Sequence, residues 1–361
     1  MSVPTRHHTV AAGADERPAE PEAPRPPRGL PFWANPRFGL LVVIAVLVLV
    51  FSSLRSSFLD TDLTLVPMQQ DVSVFLVVGL AQLTVLSLGH MNLAVPRIAA
   101  VSAFVMGWCY QQLAMPLVLG LLVGLAAGAL VGAAAGLIIT ATGVNSFIVT
   151  LALDFALTGL VSLLYSHVGD GVAFAAHPAG MDTLRNDTFS DYCTGNTCGP
   201  PIPLIVPIAL LAALLVGLLF RPTRIGREIL MTGSNLRAAR LSGIPTGRRI
   251  VQAHALSGAL AALAGFLLAI NNGAFSADIG NSFLLPSFLA PVLGGTLLSG
   301  GSVSVLGTAL GASLTEVIQT GLNLLNFSVQ DLNIFIGLVL LAALSLDRLR
   351  QVLADRRGVR A

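Results

Sequence analysis

The sequence predicts an all-α, polytopic membrane protein with about ten transmembrane helices. Three observations predict it. Of 361 residues, 54% are hydrophobic and 11% charged, against about 25% charged in soluble domains. The mean hydropathy of +0.81 describes more apolar side chain than a compact soluble fold of this length can enclose, so lipid must solvate most of it. The basic residues fall into three clusters separated by even numbers of apolar runs. This balance excludes a soluble enzyme and a nucleic-acid-binding domain, and three cysteines are too few to staple a secreted chain of this size.

Residues 1–37 hold eight of the 20 prolines among Arg, Glu and Ala, which predicts a disordered tail. A long polar tail before the first apolar run and no A-x-A cleavage site predict that this run stays in the mature protein. Apolar runs of about 17–25 residues then place helices at 38–54, 72–88, 93–112, 115–140, 147–165, 203–220, 250–270, 284–299, 303–323 and 331–346. Together they predict a membrane domain over 38–347, followed by a basic tail at 348–361.

All 20 basic residues are Arg. Five lie in 1–37, seven in 221–249 and five in 348–360. The positive-inside rule places these segments and both termini in the cytoplasm, and the six and four spans between them satisfy that placement. Without a lysine the chain cannot build a GxxxxGK[ST] phosphate loop, so an ATPase driving transport would be another polypeptide. No cofactor or metal site is expected. The loop 166–202 then lies outside. Its Cys193 and Cys198 read as a local disulfide in preference to a metal site, because no nearby His or Cys completes a ligand set. Cys109, within a span, reads as a packing thiol.

Within the fourth span Gly120, Gly124, Gly128, Gly132 and Gly136 recur every four residues along one helix face. Such spacing lets helix backbones approach closely in lipid, either inside the subunit or between subunits. Gly307 and Gly311 repeat the spacing, while Gly294, Gly295, Gly300 and Gly301 flank a break between two spans. Three charges fall inside the spans: Arg97, Asp154 and Glu316. Charge at membrane depth must be paired or wetted. Two readings stay open. These residues line a polar solute path, assisted by Gln82, His90, Asn92, Asn145, His254, Gln319 and Asn323, or Arg97 pairs with a carboxylate to hold helices together while many of the others make helix-helix hydrogen bonds. Two carboxylates without an inverted counterpart argue weakly for an ion-coupled secondary transporter. A membrane enzyme is weaker still, since no Ser/His/Asp or HExxH arrangement is present.

The loop 221–249 is too polar for lipid. Asn235 to Leu241 suits a short helix, capped by Ser234 or Asn235, carrying Arg237 and Arg240 toward its C-terminus and Gly243 just beyond. By composition this loop could be topological, an anionic-lipid contact or a docking surface.

The wording of four stretches adds a resemblance: Gln82 to Ser102, Gly143 to Leu160, Thr223 to Ile244 (TRIGREILMTGSNLRAARLSGI) and Leu293 to Leu325. In order and at natural spacing over about residues 70–347, they resemble the permease subunits of ribose, xylose and galactose type ABC importers. The resemblance implies a type II ABC-importer-like permease of the bacterial cytoplasmic membrane. Its expected partners are a cytoplasmic ATPase, an extracytoplasmic sugar-binding protein and a second permease copy, as homodimer or related heterodimer. It also implies that Thr223, Arg224, Gly226, Arg227, Gly233, Asn235, Arg237, Ala238, Ala239, Arg240, Gly243 and Ile244 shape or contact the ATPase interface. This chain departs from the family at Asn92, usually Asp, at Pro96 and Arg97, usually a small Gly-Ser pair, and at Asp154 and Glu316, usually uncharged.

Overall fold

In lipid each backbone N–H and C=O must find a partner within the protein, so long apolar runs fold as helices. The computed structural model describes residues 36–341 apart from 169–170, 172, 175–177, 193–200, 282, 329–330, 332–333, 336 and 339–340. The N-terminal tail through residue 35, the C-terminal tail, Cys193 and Cys198 therefore lie outside the described residues.

Helices occupy each apolar run. They are α1 (Pro36–Leu54), α2 (Val66–Leu86), α3 (Val95–Leu113), α4 (Leu117–Thr142), α5 (Ser146–His167), the short α6 (Met181–Asn186), α7 (Ile205–Phe220), α8 (Arg224–Ser234), α9 (Leu236–Leu241), α10 (Thr246–Asn272), α11 (Leu284–Leu293) and α12 (Val305–Leu324). In the last predicted span, the described positions 331, 334, 335, 337, 338 and 341 are helical. Three boundaries differ from the sequence reading by four residues or more: α2 begins at Val66 instead of 72, α10 at Thr246 instead of 250, and the third is the end of α11. The helix at 284–299 stops at Leu293, and residues 294–304 turn away through Gly295, Gly300 and Gly301, all at positive φ. Thr61–Leu86, α4, α5 and α10 are long and apolar enough to cross a membrane on length and composition alone. α7 and α8 meet at a 73° bend.

α10 is the central helix, buried along most of its length and packed on α4, α2 and α3. Its contact with α4 is the most extensive in the bundle, and the glycine stripe is the reason. A Cβ on Gly128 would meet the Gly258 carbonyl, on Gly132 the His254 carbonyl, and on Gly136 the Val251 Cα. Gly120 and Gly124 admit the Tyr110 ring and the Met106 side chain of α3. All five glycines thus face helices of the same chain. Gly294 and Gly307, and Gly311 with Ala290, bring α11 and α12 together in the same way.

Two loop clusters cap the bundle. At one end β1 (Ala173–Phe174) pairs antiparallel with β2 (Phe275–Ser276) over the rings of Phe104, Tyr110 and Tyr165. There Tyr165 donates to the Phe275 carbonyl at 3.1 Å and Gln70 to the Arg185 carbonyl at 2.8 Å. The opposite end gathers residues 87–94, the start of α5, the α8–α9 loop and the 294–304 turn. Cys109 is a buried free thiol.

Because Gly132 abuts backbone, overpacking there cannot be absorbed by a rotamer change. Gly132→Val is expected to destabilise the bundle by roughly 1–3 kcal/mol, seen as a lower melting temperature and reduced monodisperse yield in detergent. Gly143→Ala, at a position with no neighbour within 4 Å but a φ of +69°, should cost less.

Candidate translocation and docking site

The chain breaks its helices where α2 gives way to α3. Residues 87–94 leave backbone groups without helical partners, and side chains supply them. With its amide oriented to suit its neighbours, Gln82 donates to the Asn92 carbonyl at 3.0 Å and accepts from the Asn92 N–H at 3.2 Å. Asn92 in turn accepts from Ala94 N at 3.1 Å and donates to Ser257 of α10 at 3.2 Å. From α5, Ser146 accepts from Met91 N and Thr150 from Leu93 N. Gln82, Asn92, Thr150 and Ser257 are fully buried. Their polar groups hold the break, and His90 pairs with the buried His254 at 3.3 Å beside it.

The charged residues form two further groups. Arg97 Nε lies 3.6 Å from Asp154 Oδ1, tying α3 to α5, and Arg97 Nη1 donates to Asn281 Oδ1 at 2.5 Å. Asn281 donates onward to Asp278 at 3.1 Å. Both partners of the ion pair keep 23% of their side-chain surface exposed. Nearer the end capped by β1 and β2, the buried Glu316 accepts from Thr320 at 2.7 Å, while Asp71 on α2 accepts from Asn271 at 3.2 Å. The other named residues stand apart. Asn145 is exposed and caps α5 by accepting from Phe147 N at 2.9 Å, Gln319 is half-buried, and Asn323 is exposed near the end of α12.

The basic loop is a built structure. Thr223 caps α8 by accepting from Gly226 N at 3.0 Å. Gly226 sits where a Cβ would strike the Leu219 carbonyl, so the sharp α7–α8 bend needs it. Asn235 caps α9 by accepting from Ala238 N at 3.0 Å. α9 ends as its capping sequence specifies, with Ile244 N bonded to the Ala239 carbonyl and Gly243 at a φ of +76°. Ala239 is buried, whereas Arg224, Arg227, Arg237, Ala238 and Arg240 are exposed, and Leu241 projects with 90% of its surface open. Arg240 Nε reaches Thr246 at 3.3 Å.

Glu228 is the buried exception. Its carboxyl receives Arg224 Nε and Arg249 Nε, both at 2.7 Å, and those hydrogen bonds hold it below the usual carboxylate range. At the end of α8, Gly233 lies against the Ser87 carbonyl and Leu88, and Gly301 N donates to that same Ser87 carbonyl at 2.9 Å. Gly300, at φ +84°, packs on Gly89, at φ +72°. The end of α2, the 294–304 turn and the end of α8 therefore meet backbone to backbone. Sequence reasoning named Gly233 but missed Glu228, Arg249, Asp71, Asn271, Asp278 and Asn281.

A helical membrane bundle with stitched breaks toward one end and a capped, basic, solvent-facing helix pair beside them has the build of a membrane permease. Residues 70–344 match the family described as the branched-chain amino acid transport system / permease component. The autoinducer 2 import system permease protein LsrD of Salmonella typhimurium (strain LT2) is 31% identical over 280 residues, 77% of this chain and 80% of that protein. The protein of the same name from Yersinia pseudotuberculosis serotype O:1b is 31% identical over 303 residues, 80% of this chain and 85% of its own. That from Yersinia enterocolitica is 36% identical over 188 residues, covering 52% and 54%. No solved structure matches the chain. The chain belongs to this family of ABC-importer permease components and is a multi-pass membrane transport subunit.

Since a Cβ at residue 233 would collide with the Ser87 carbonyl, Gly233→Val is expected to open the contact between the end of α8 and the end of α2 while the α4–α10 packing stays intact. Limited proteolysis should then cut within 221–249 faster than in the parent protein, with the α4–α10 core still protected.

Proposed function

We propose that this chain is the translocating subunit of an importer for a small, uncharged, hydroxyl-bearing solute of the monosaccharide kind, driven by a separate cytoplasmic ATPase that docks on α8 and α9. The observation that carries this reading is the backbone contact of Gly233 with Ser87 and Gly301. A push on the docking helices reaches two membrane breaks directly, as a switch between outward and inward access requires. The termini and the 221–249 loop face the cytoplasm, and a binding protein delivers solute to the opposite face. A second permease copy, identical or related, completes the path.

Among the polar residues of the spans, the Arg97–Asp154–Asn281 group best suits solute contact. Gln82, Asn92 and Asn145 spend their hydrogen bonds on the fold, whereas Arg97 and Asp154 are partly open. Asp154 balances Arg97, and Asn281 links the pair to Asp278, so the group offers donors and acceptors without net positive charge, which suits hydroxyls better than a carboxylate or phosphate. The relatives' names specify autoinducer 2 import, and the sequence resemblance specifies ribose, xylose and galactose importers. Both point to a carbohydrate-like solute.

The test is reconstitution in proteoliposomes with the ATPase and binding protein encoded beside this chain, measuring ATP hydrolysis and uptake against monosaccharides and autoinducer 2. One loaded binding protein should stimulate both. Uptake that follows a proton or sodium gradient without ATP would overturn the proposal. Arg240→Glu is expected to abolish uptake with membrane insertion intact, and unchanged uptake would refute docking at α9. Arg97→Ala should change solute preference or rate per assembled complex; a variant that assembles poorly but transports normally per complex would assign Arg97 to helix packing.

A further inference from the structure

α9 joins its neighbours through two non-helical links. Asn235 is extended, at φ −158° and ψ +100°, between α8 and α9, and Gly243 to Pro245 separate α9 from α10. Force applied to α9 would be lost by bending at these links unless something tied α8 to α10. The Arg240–Thr246 bond at 3.3 Å is a weak tie and half exposed. The carboxyl of Glu228 is the strong one. It lies on α8, accepts from Arg249 in the first turn of α10, 21 residues on, and closes the α8–α9–α10 loop into a triangle.

Burying an ion pair is a poor way to gain stability, since apolar residues of similar volume often do as well or better. Such a pair does impose one geometry. Arg249 is 14% exposed and Glu228 9%, whereas Arg224, the second partner, is 86% exposed. The tie that counts is therefore the inward one. From Arg249 the line continues along α10 to Ser257, which receives the Asn92 amide and so meets the α2–α3 break.

We infer that Glu228 is a positioning residue for transport: its bond to Arg249 makes α8, α9 and α10 move as one block, so that displacement of α9 reaches the α2–α3 break through α10 as well as through the Gly233–Ser87 contact, and both routes are needed for full coupling. This inference rests on the importer reading above.

The test compares two double variants in the reconstituted complex, E228M/R249M, which keeps volume and removes the tie, and E228R/R249E, which reverses it. Arg224 is exposed enough to turn away from Arg at 228. Solute taken up per ATP hydrolysed is the readout, with complex assembly measured by size exclusion. E228M/R249M is expected to assemble and hydrolyse ATP like the parent while uptake per ATP falls about tenfold, and E228R/R249E to recover most of that loss. Unchanged uptake per ATP in E228M/R249M overturns the inference, as does a loss of uptake, hydrolysis and assembly in proportion. A parent complex showing no binding-protein-stimulated hydrolysis overturns the importer reading, and the inference with it.

Discussion

The structure depends on one constraint: a backbone that leaves the helix inside a membrane must have its polar groups paired by the protein. At 87–94 the pairing comes from Gln82, Asn92, Ser146 and Thr150, drawn from α2, the loop itself and α5, with Ser257 of α10 behind them. An apolar residue at any of these positions would leave a polar group of the break without its partner, at a cost of about 1–3 kcal/mol where that group is buried. The break is thus expensive to form, and its position fixes which helices must lie next to one another.

Close approach is the complementary device. Between helices surrounded by lipid no hydrophobic force drives association, so packing must come from surfaces that fit. α4 and α10 fit because Gly128, Gly132 and Gly136 present bare backbone to the carbonyls and Cα atoms of α10. The same device reappears where Gly89, Gly233, Gly300 and Gly301 converge. One chemistry therefore builds the rigid core and attaches the docking loop to it.

Much of this was legible in the sequence, and for physical reasons. Runs of apolar residues gave the helices, since length and hydrophobicity alone decide whether a segment can cross lipid. Caps gave α9, because Asn235 and Gly243 act within a few residues of themselves. The early end of α11 was legible only in part: Gly294 and Gly295 marked a break, and Gly295 ends the helix at a φ of +84°, but that Gly294 is needed for the close approach of Gly307 shows only in the fold. The Glu228–Arg249 pair was not legible, because a lone acid in a basic loop reads as solvated until the fold brings α10 alongside. Asn281 and Asp71 escaped for a similar reason. Each stands next to a helix end, and only tertiary contact shows that Asn281 reaches Arg97 and that Asp71 meets Asn271.

The Arg97–Asp154 pair has an electrical consequence. A single charge carried across a membrane potential exchanges about 2.3 kcal/mol per 100 mV with the field. Because the guanidinium and the carboxylate sit 3.6 Å apart on α3 and α5, movement of these two helices together displaces a short dipole with no net charge. The voltage across the membrane does almost no work on such a step, so a cell that depolarises leaves it where it was.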